Sequence, residues 1–392
     1  MNGPAARKPV RVLLICDSYP PVMGGSEIEA QRVSAAMIRR GHQVHVLCAG
    51  GPPMPSLRDW VDPAGVPVSI LTRRSRGLWK DCIFACEVSC AIWSRRRSYD
   101  VVYFLMQGLH LAAGLPVAHF LKKPVVVKIA GSNVVPAMRR SRAGRQELDW
   151  MQRWRVPLMV LNDGMVEEAL ADGFARDRLV WMPNPVDPDE FRPAQPGESE
   201  TWRENHGIPP NAQVVIYTGR LSHEKGLRSL VGGFACAARQ VPEALLVLVG
   251  DGASRPELET LARGLGMNCG EIRFVGRVPA AEIPFWLRAG DIFSLTSPSE
   301  GFPCALLEAM AAGLPSVVSA IPANLQLIDE DVHGLTVPFD DEEAIGKAFL
   351  KLFSDAGMRR SMGNAARQRV VDNYSTDKVI DRYEALFNGL TG

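Results

Sequence analysis

The chain has 392 residues, 46% of them hydrophobic and 22% charged, with a formal net charge of +1. That length exceeds what one hydrophobic core usually serves, so two domains are expected, and near-neutrality argues against a global field for nucleic acid. Eight cysteines without paired C-x2-C spacing argue against a zinc ribbon or a disulfide framework, so a reducing, cytoplasmic setting is expected.

The first apolar run, 10–16, is too short for a membrane span or a signal segment with its flanks, and reads as a strand. A helix is expected from Glu27 to about Arg40, then a Gly41-His42 turn and a strand at 43–49. Strand-like runs follow at 68–72, 100–106, 124–130 and 157–162. Within 78–93, LWKDCIFACEVSCAIW, the pattern is an apolar helix on which Cys82, Cys86 and Cys90 share one face and are expected as small buried side chains. The segment 183–200 is rich in Pro and acid and hinge-like. Strands resume at 213–219, 244–250, 271–276, 291–297 and 314–320.

Alternating β-branched runs and helical patterns predict an α/β chain of two doubly wound, Rossmann-like domains facing each other across a cleft. The expected boundaries are 1–184, a linker at 185–200, 201–374, and a C-terminal helix at 375–392 packing back on the first domain. Charge divides along the same line. Residues 1–184 hold 25 Lys+Arg against 15 Asp+Glu, net +10, and the remainder 19 against 28, net −9. The first domain is thus expected to face something anionic.

Four strand-to-helix turns carry candidate chemistry. In CDSYPPVMGGSEIEA (16–30), Gly24 and Gly25 allow close backbone approach, and Ser26 with Glu29 has capping-box spacing. The turn is either a plain capped helix start or an anion site. In TGRLSHEKGL (218–227), Gly219 ends a strand and Arg220 and Lys225 follow, a pair suited to a diphosphate or simply a solvated loop. In VLVGDGASRPELE (247–259), Gly250 opens a turn that either touches ligand or only bends the chain. In SEGFPCALLEAMAAG (299–313), Glu300 lies in a loop, Pro303 suits a first helical turn, and Glu308 sits on the helix. One continuous helix would set the two carboxylates roughly 12 Å and 80° apart, so a loop-plus-helix split serves one elongated ligand better.

Together these stretches resemble the retaining nucleotide-sugar glycosyltransferases of family 4, which have the GT-B fold. The match runs through PPVMGGSE (20–27), RRGHQVHVL (39–47), MPNPVDPDEF (182–191), GRLSHEKG (219–226), VGDG (249–252) and FVGRV (274–278). Its most specific part is SEGFPCALLEAMAAGLPSVV (299–318), an E-x7-E motif. The resemblance implies an acceptor-side first domain and a nucleotide-sugar-binding second one. Arg220 and Lys225 would hold the donor diphosphate, and Glu308 the ribose. Glu300 would sit at the donor sugar, with the backbone of Gly301, Phe302, Pro303 and Cys304 nearby. Gly24 and Gly25 would approach the phosphates, and Arg277 and Val278 the base.

The resemblance further implies retaining transfer of a hexosyl unit, UDP-sugar favoured over GDP-sugar, to a hydroxyl of a glycan, lipid-linked or small-molecule acceptor. Front-side attack would need no metal, and no cofactor is expected. Asp187-Pro188-Asp189 has the spacing of the metal-binding D-x-D of the other glycosyltransferase fold, but it lies in the hinge-like segment and is not expected to bind metal. One departure concerns KIAGSN (128–133), where Ala130 stands in place of the family's histidine and Asn133 in place of an acid. His110 is then the candidate histidine, or a structural one.

The positive excess concentrates at 71–80, 94–98 and 136–146. These are solvated arginines around a core helix, or a patch that rests on anionic lipid at the inner face of the membrane. No nucleic-acid motif accompanies them. A nucleotide-sugar epimerase on the same fold, or a non-catalytic nucleotide-sugar-binding partner, are the competing functions.

Overall fold

The computed structural model describes residues 8–21, 24–50, 54, 58–73, 78–129, 131–268 and 270–392. They form two compact units, Met1–Pro185 with Thr376–Gly392, and Val186–Ser375.

The first unit runs β1 (Arg11–Cys16), α1 (Gly25–Arg39), β2 (Gln43–Gly50), β3 (Asp59–Val61), β4 (Pro67–Arg73), α2 (Leu78–Ser94), β5 (Val101–Leu105) and α3 (Leu109–Phe120). It continues with β6 (Val125–Lys128), α4 (Val134–Arg140), α5 (Arg142–Arg153), β7 (Leu158–Val160), α6 (Asp163–Ala171) and β8 (Leu179–Trp181). The strand order is β3-β4-β2-β1-β5-β6-β7-β8, parallel throughout except for the β3–β4 edge. Helices cover both faces of such a sheet, so its strands read as unbroken apolar runs. β5 and β6 are buried at every position.

The second unit holds α7 (Glu198–Asn205), β9 (Gln213–Thr218), α8 (Leu227–Ala238), β10 (Ala244–Val249), α9 (Arg255–Gly264), β11 (Ile272–Gly276) and α10 (Ile283–Arg288). Then come β12 (Ile292–Leu295), α11 (Cys304–Ala311), β13 (Ser316–Ser319), α12 (Pro322–Leu325), β14 (Gly334–Val337), α13 (Glu342–Ser354) and α14 (Ala356–Asn373). Its sheet is β11-β10-β9-β12-β13-β14, and its strand pairs are parallel. The last helix, α15 (Thr376–Thr391), returns to the first unit, where Val379, Ile380, Tyr383 and Phe387 join the core.

Two expectations change. Residues 185–200 are not a loose linker. Val186 and Phe191 are buried, and Arg192 and Arg288 both grip Glu198, so the segment packs into the second unit. The cysteine face of α2 is also not in the core, because Cys82, Cys86 and Cys90 are exposed and Phe84, Val88 and Ile92 are the buried side. Both faces of this helix are apolar, so periodicity could not say which one packs inward.

Strand order places the candidates. In each sheet the direction of winding reverses at one point, and ligands bind beyond the carboxyl ends of the strands there. In the second unit that point lies between β9 and β12, and in the first between β1 and β5.

Candidate functional site

The turn after β9 and the loop after β12 meet at the second unit's switch point. Gly226, at φ 62°, closes the β9 turn directly beneath β12. The Thr296 hydroxyl donates to the Gly226 carbonyl at 2.9 Å, and a Cβ on Gly226 would collide with the Thr296 carbonyl oxygen. This contact carries Lys225 to Glu300. Its Nζ donates to the two carboxylate oxygens at 2.8 and 3.0 Å, while the Ser297 hydroxyl holds Oε1 at 2.7 Å. The Glu300 side chain is 11% exposed and that of Lys225 is 23% exposed.

Arg220 does not join this pair. It is 71% exposed, with Glu224 at 3.9 Å, and its carbonyl accepts from the buried Tyr217 hydroxyl at 2.9 Å. Burial pushes the Tyr217 phenol well above its usual range, so it stays a donor. The backbone turn is therefore fixed while the guanidinium is left at the surface.

Beyond Glu300 the chain divides as the glycine and proline suggested. Phe302 is buried and tilted against Tyr374 at 6.1 Å, Pro303 is the N-cap residue rather than the first helical one, and α11 starts at Cys304. Glu308 is half-buried one turn later, on the same face as Cys304. Gly301 is half-buried in the loop.

Gly219 and Gly250 end β9 and β10 in contact. A Cβ on Gly250, at φ 140°, would overlap the Gly219 carbonyl oxygen, so packing between neighbouring strand ends alone demands this glycine. Past β11, Arg277 is exposed and Val278 half-buried.

In the first unit, Gly24 caps α1 with extended backbone and Gly25 opens the helix. A Cβ on Gly25 would meet nothing within 4 Å, so the fold itself does not require glycine there. The capping box does not form. The helix begins before Ser26, which places Glu29 beyond the first turn and turns it inward. Its carboxylate accepts from the buried Lys128 ammonium and, at 3.1 Å, from the Tyr383 hydroxyl, and Lys128 also donates to Asn184 at 2.9 Å. This buried network, like Ser297 and Thr296, escaped the sequence reading. The one signal was a lysine inside the apolar run PVVVKIA.

His110 is the second residue of α3, at the end of β5, and only 3% exposed. Its ring packs on Phe84 and Phe104, and Nδ1 lies 3.4 Å from the Asp17 carboxylate at the end of β1. Ala130 lies outside the described residues. Asn133 takes φ 62°, and its amide donates to Glu168 at 2.8 and 2.9 Å.

Part of the positive excess is neutralised internally, since Arg139 binds Asp149 and Asp172. Asp187 accepts from the amides of Asp189 and Glu190, as a turn residue does. Among the described residues, no group of three His, Cys, Asp or Glu could hold a metal ion. Among them also, no helix is long and apolar enough to cross a membrane.

Comparison with known proteins matches residues 23–190 to Glycosyltransferase Family 4 and residues 198–369 to Glycosyl transferases group 1. The 2-deoxystreptamine N-acetyl-D-glucosaminyltransferase of Streptomyces fradiae is 26% identical over 91% of this chain and 89% of its own length. The D-inositol 3-phosphate glycosyltransferase of Xylanimonas cellulosilytica is 27% identical over 88% of this chain and 87% of its own. Among solved structures, Anabaena HepE in complex with UDP and glucose superposes with a TM-score of 0.81 at 18% identity, covering 97% of this chain and all of its own.

Proposed function

The chain belongs to glycosyltransferase family 4, with the GT-B fold, and from that premise we propose that it moves a hexosyl unit from a UDP-sugar to an acceptor hydroxyl with retention. The observation that carries the reading is the Lys225–Glu300 pair at the switch point of the second sheet.

Breaking a glycosyl–phosphate bond leaves a diphosphate, so a cation fixed beforehand lowers the barrier more than one that must be recruited. Lys225 is such a cation, held at a set position by Glu300. Arg220, at the surface of the same turn, has the exposed Glu224 carboxylate beside it at 3.9 Å, a loose pair that a phosphate gripped in bidentate fashion could displace. Glu308, with Cys304 on one helix face, would take the ribose hydroxyls, and the Gly301–Cys304 backbone the sugar. The open space over Gly25 suits backbone approach to an anion. Gly219 and Gly250 would shape the pocket floor, and Arg277 and Val278 would border the base.

In front-side attack, the acceptor oxygen bonds to the anomeric carbon on the face the diphosphate leaves. The departing phosphate oxygen takes the acceptor proton, so neither a covalent glycosyl-enzyme nor a metal is required. His110, buried against Asp17, would order the acceptor side. The acceptor is a hydroxyl of a glycan, lipid-linked or small-molecule compound, and UDP is favoured by the HepE complex.

The test is a thermal-shift screen of nucleoside diphosphate sugars, followed by NMR of the product formed with an acceptor mixture. Stabilisation by UDP-sugars and an anomeric configuration matching the donor are expected. Donor conversion without acceptor would identify an epimerase instead, and donor binding without turnover a non-catalytic partner.

A further inference from the structure

Helix α2 is apolar around most of its circumference, yet among the described residues only one side of it is buried. Phe84, Ala85, Val88 and Ile92 are buried toward α3 and β4. The other side carries Trp79, 78% exposed, with Ile83 at 39% and Trp93 at 47%. Cys82, Cys86 and Cys90 fill the same stripe and are exposed. Phe120, 73% exposed at the end of α3, extends it by stacking on Trp93 at 5.9 Å. Single exposed apolar residues are ordinary, but a contiguous stripe marks a contact surface. From Trp79 to Trp93 it runs about 21 Å along the helix.

Charge says what covers it. At the Trp93 end the Arg96 guanidinium lies 5.4 Å over the indole, and Arg97 and Lys122 are exposed next to it. Lys80 follows Trp79 at the other end. Of the acids on this helix, Glu87 faces β4, where it accepts from the Thr72 hydroxyl, and Asp81 is half-buried. Tryptophans at both ends, small polarisable side chains between them and cations at the margins suit a helix lying in a headgroup layer. They suit a protein partner less well, since Asp81 and Glu87 lie off the stripe and the exposed charges at its Trp93 end are cations.

We propose that the outer face of α2, with Phe120, docks in the plane of an anionic lipid bilayer, Trp79 and Trp93 entering the interface while Arg96, Arg97 and Lys122 pair with headgroup phosphates. The proposal does not rest on the transferase reading, and it is measured without donor or acceptor.

The full chain is sedimented with vesicles of phosphatidylcholine alone and with about a third phosphatidylglycerol. Binding to the anionic vesicles is expected, and the Trp79→Ser/Trp93→Ser/Phe120→Ser variant should lose it about tenfold or more at an unchanged melting temperature. In the unaltered protein, the same vesicles should shield Cys82, Cys86 and Cys90 from a membrane-impermeant maleimide. Binding indifferent to phosphatidylglycerol, or thiols equally reactive with and without vesicles, would overturn the proposal. So would a dimer in ultracentrifugation that the triple variant dissolves without any vesicle binding, since a second copy then covers the stripe.

Discussion

Lys225 and Glu300 come from turns 75 positions apart in sequence, yet the ammonium lies 2.8 Å from one carboxylate oxygen and 3.0 Å from the other. Neither residue owes this to its own strand. Gly226 lets the β9 turn press against Thr296, and Ser297 fixes the rotation of the carboxylate. The proposed donor site begins as a packing contact between two strand ends.

Replacing Lys225 with Ala removes the cation that Glu300 holds in place. UDP affinity should fall about ten- to a hundredfold, as for loss of a charge-assisted hydrogen bond of about 1.4–3 kcal/mol. Titration calorimetry reads this, and Glu308→Ala should weaken UDP as well. Unchanged affinity in both variants would remove the site from this pair of loops.

Gly226→Ala should be costly in a way Gly25→Ala is not. At Gly226 a methyl meets backbone oxygen and the backbone is left-handed, which should lower stability by about 1–3 kcal/mol and displace Lys225. At Gly25 the methyl meets open space, so the melting temperature should hold while nucleotide binding weakens. A Gly25→Ala protein with unaltered nucleotide affinity would leave that glycine without a ligand role.

The buried Glu29–Lys128 pair predicts a thermodynamic cycle. Lys128→Met alone strands a carboxylate in the core and should destabilise the chain by about 3–5 kcal/mol. Glu29→Gln added to it should recover a good part of that loss, because no uncompensated charge remains. Denaturant melts of the two single variants and the double variant measure the coupling, and additive losses would contradict it.

Glu147 predicts a pH dependence. Burial pushes its carboxyl up from 4.5 to about 7, against the opposing pull of the Gly108 amide. The folded chain therefore holds this proton more tightly than the unfolded one. The associated stability is fully present below about pH 4.5 and is lost as pH rises through about 7. Glu147→Gln should flatten that slope and stabilise the protein by about 1–3 kcal/mol at pH 8. Melting temperatures across pH 5 to 8 would show it, and parallel profiles would refute it.

The parallel strands were legible because helices on both faces make them long apolar runs, and the eleven runs expected all appear within a few residues. What escaped was short or edge-bound. β3 and β8 have three residues each, and β14 opens on glycine, so none carries a period. At the site, the motifs gathered Arg220, Lys225 and Glu300 around one donor but gave no sign that Lys225 pairs with Glu300 while the Arg220 side chain lies at the surface. Ser297 and Thr296 were invisible because their hydroxyls act on the neighbouring turn, a contact that exists only after folding. The capping box failed for a similar reason. Its spacing was right, but the helix starts earlier and tertiary pairing with Lys128 claims the glutamate.

The return of α15 has a consequence for synthesis. The chain leaves the first unit at Pro185 and re-enters at Thr376, and within the second unit Val186 and Ser375 form a bridge. A ribosome therefore delivers all of 186–375 as a closed loop before releasing the helix whose Tyr383 and Phe387 complete the first core. The usual order of nascent folding, N-terminal part first, cannot hold for the whole of the first unit. Its last core helix is synthesised only after all of 186–375, so the half made later can close before the half made first has its full core.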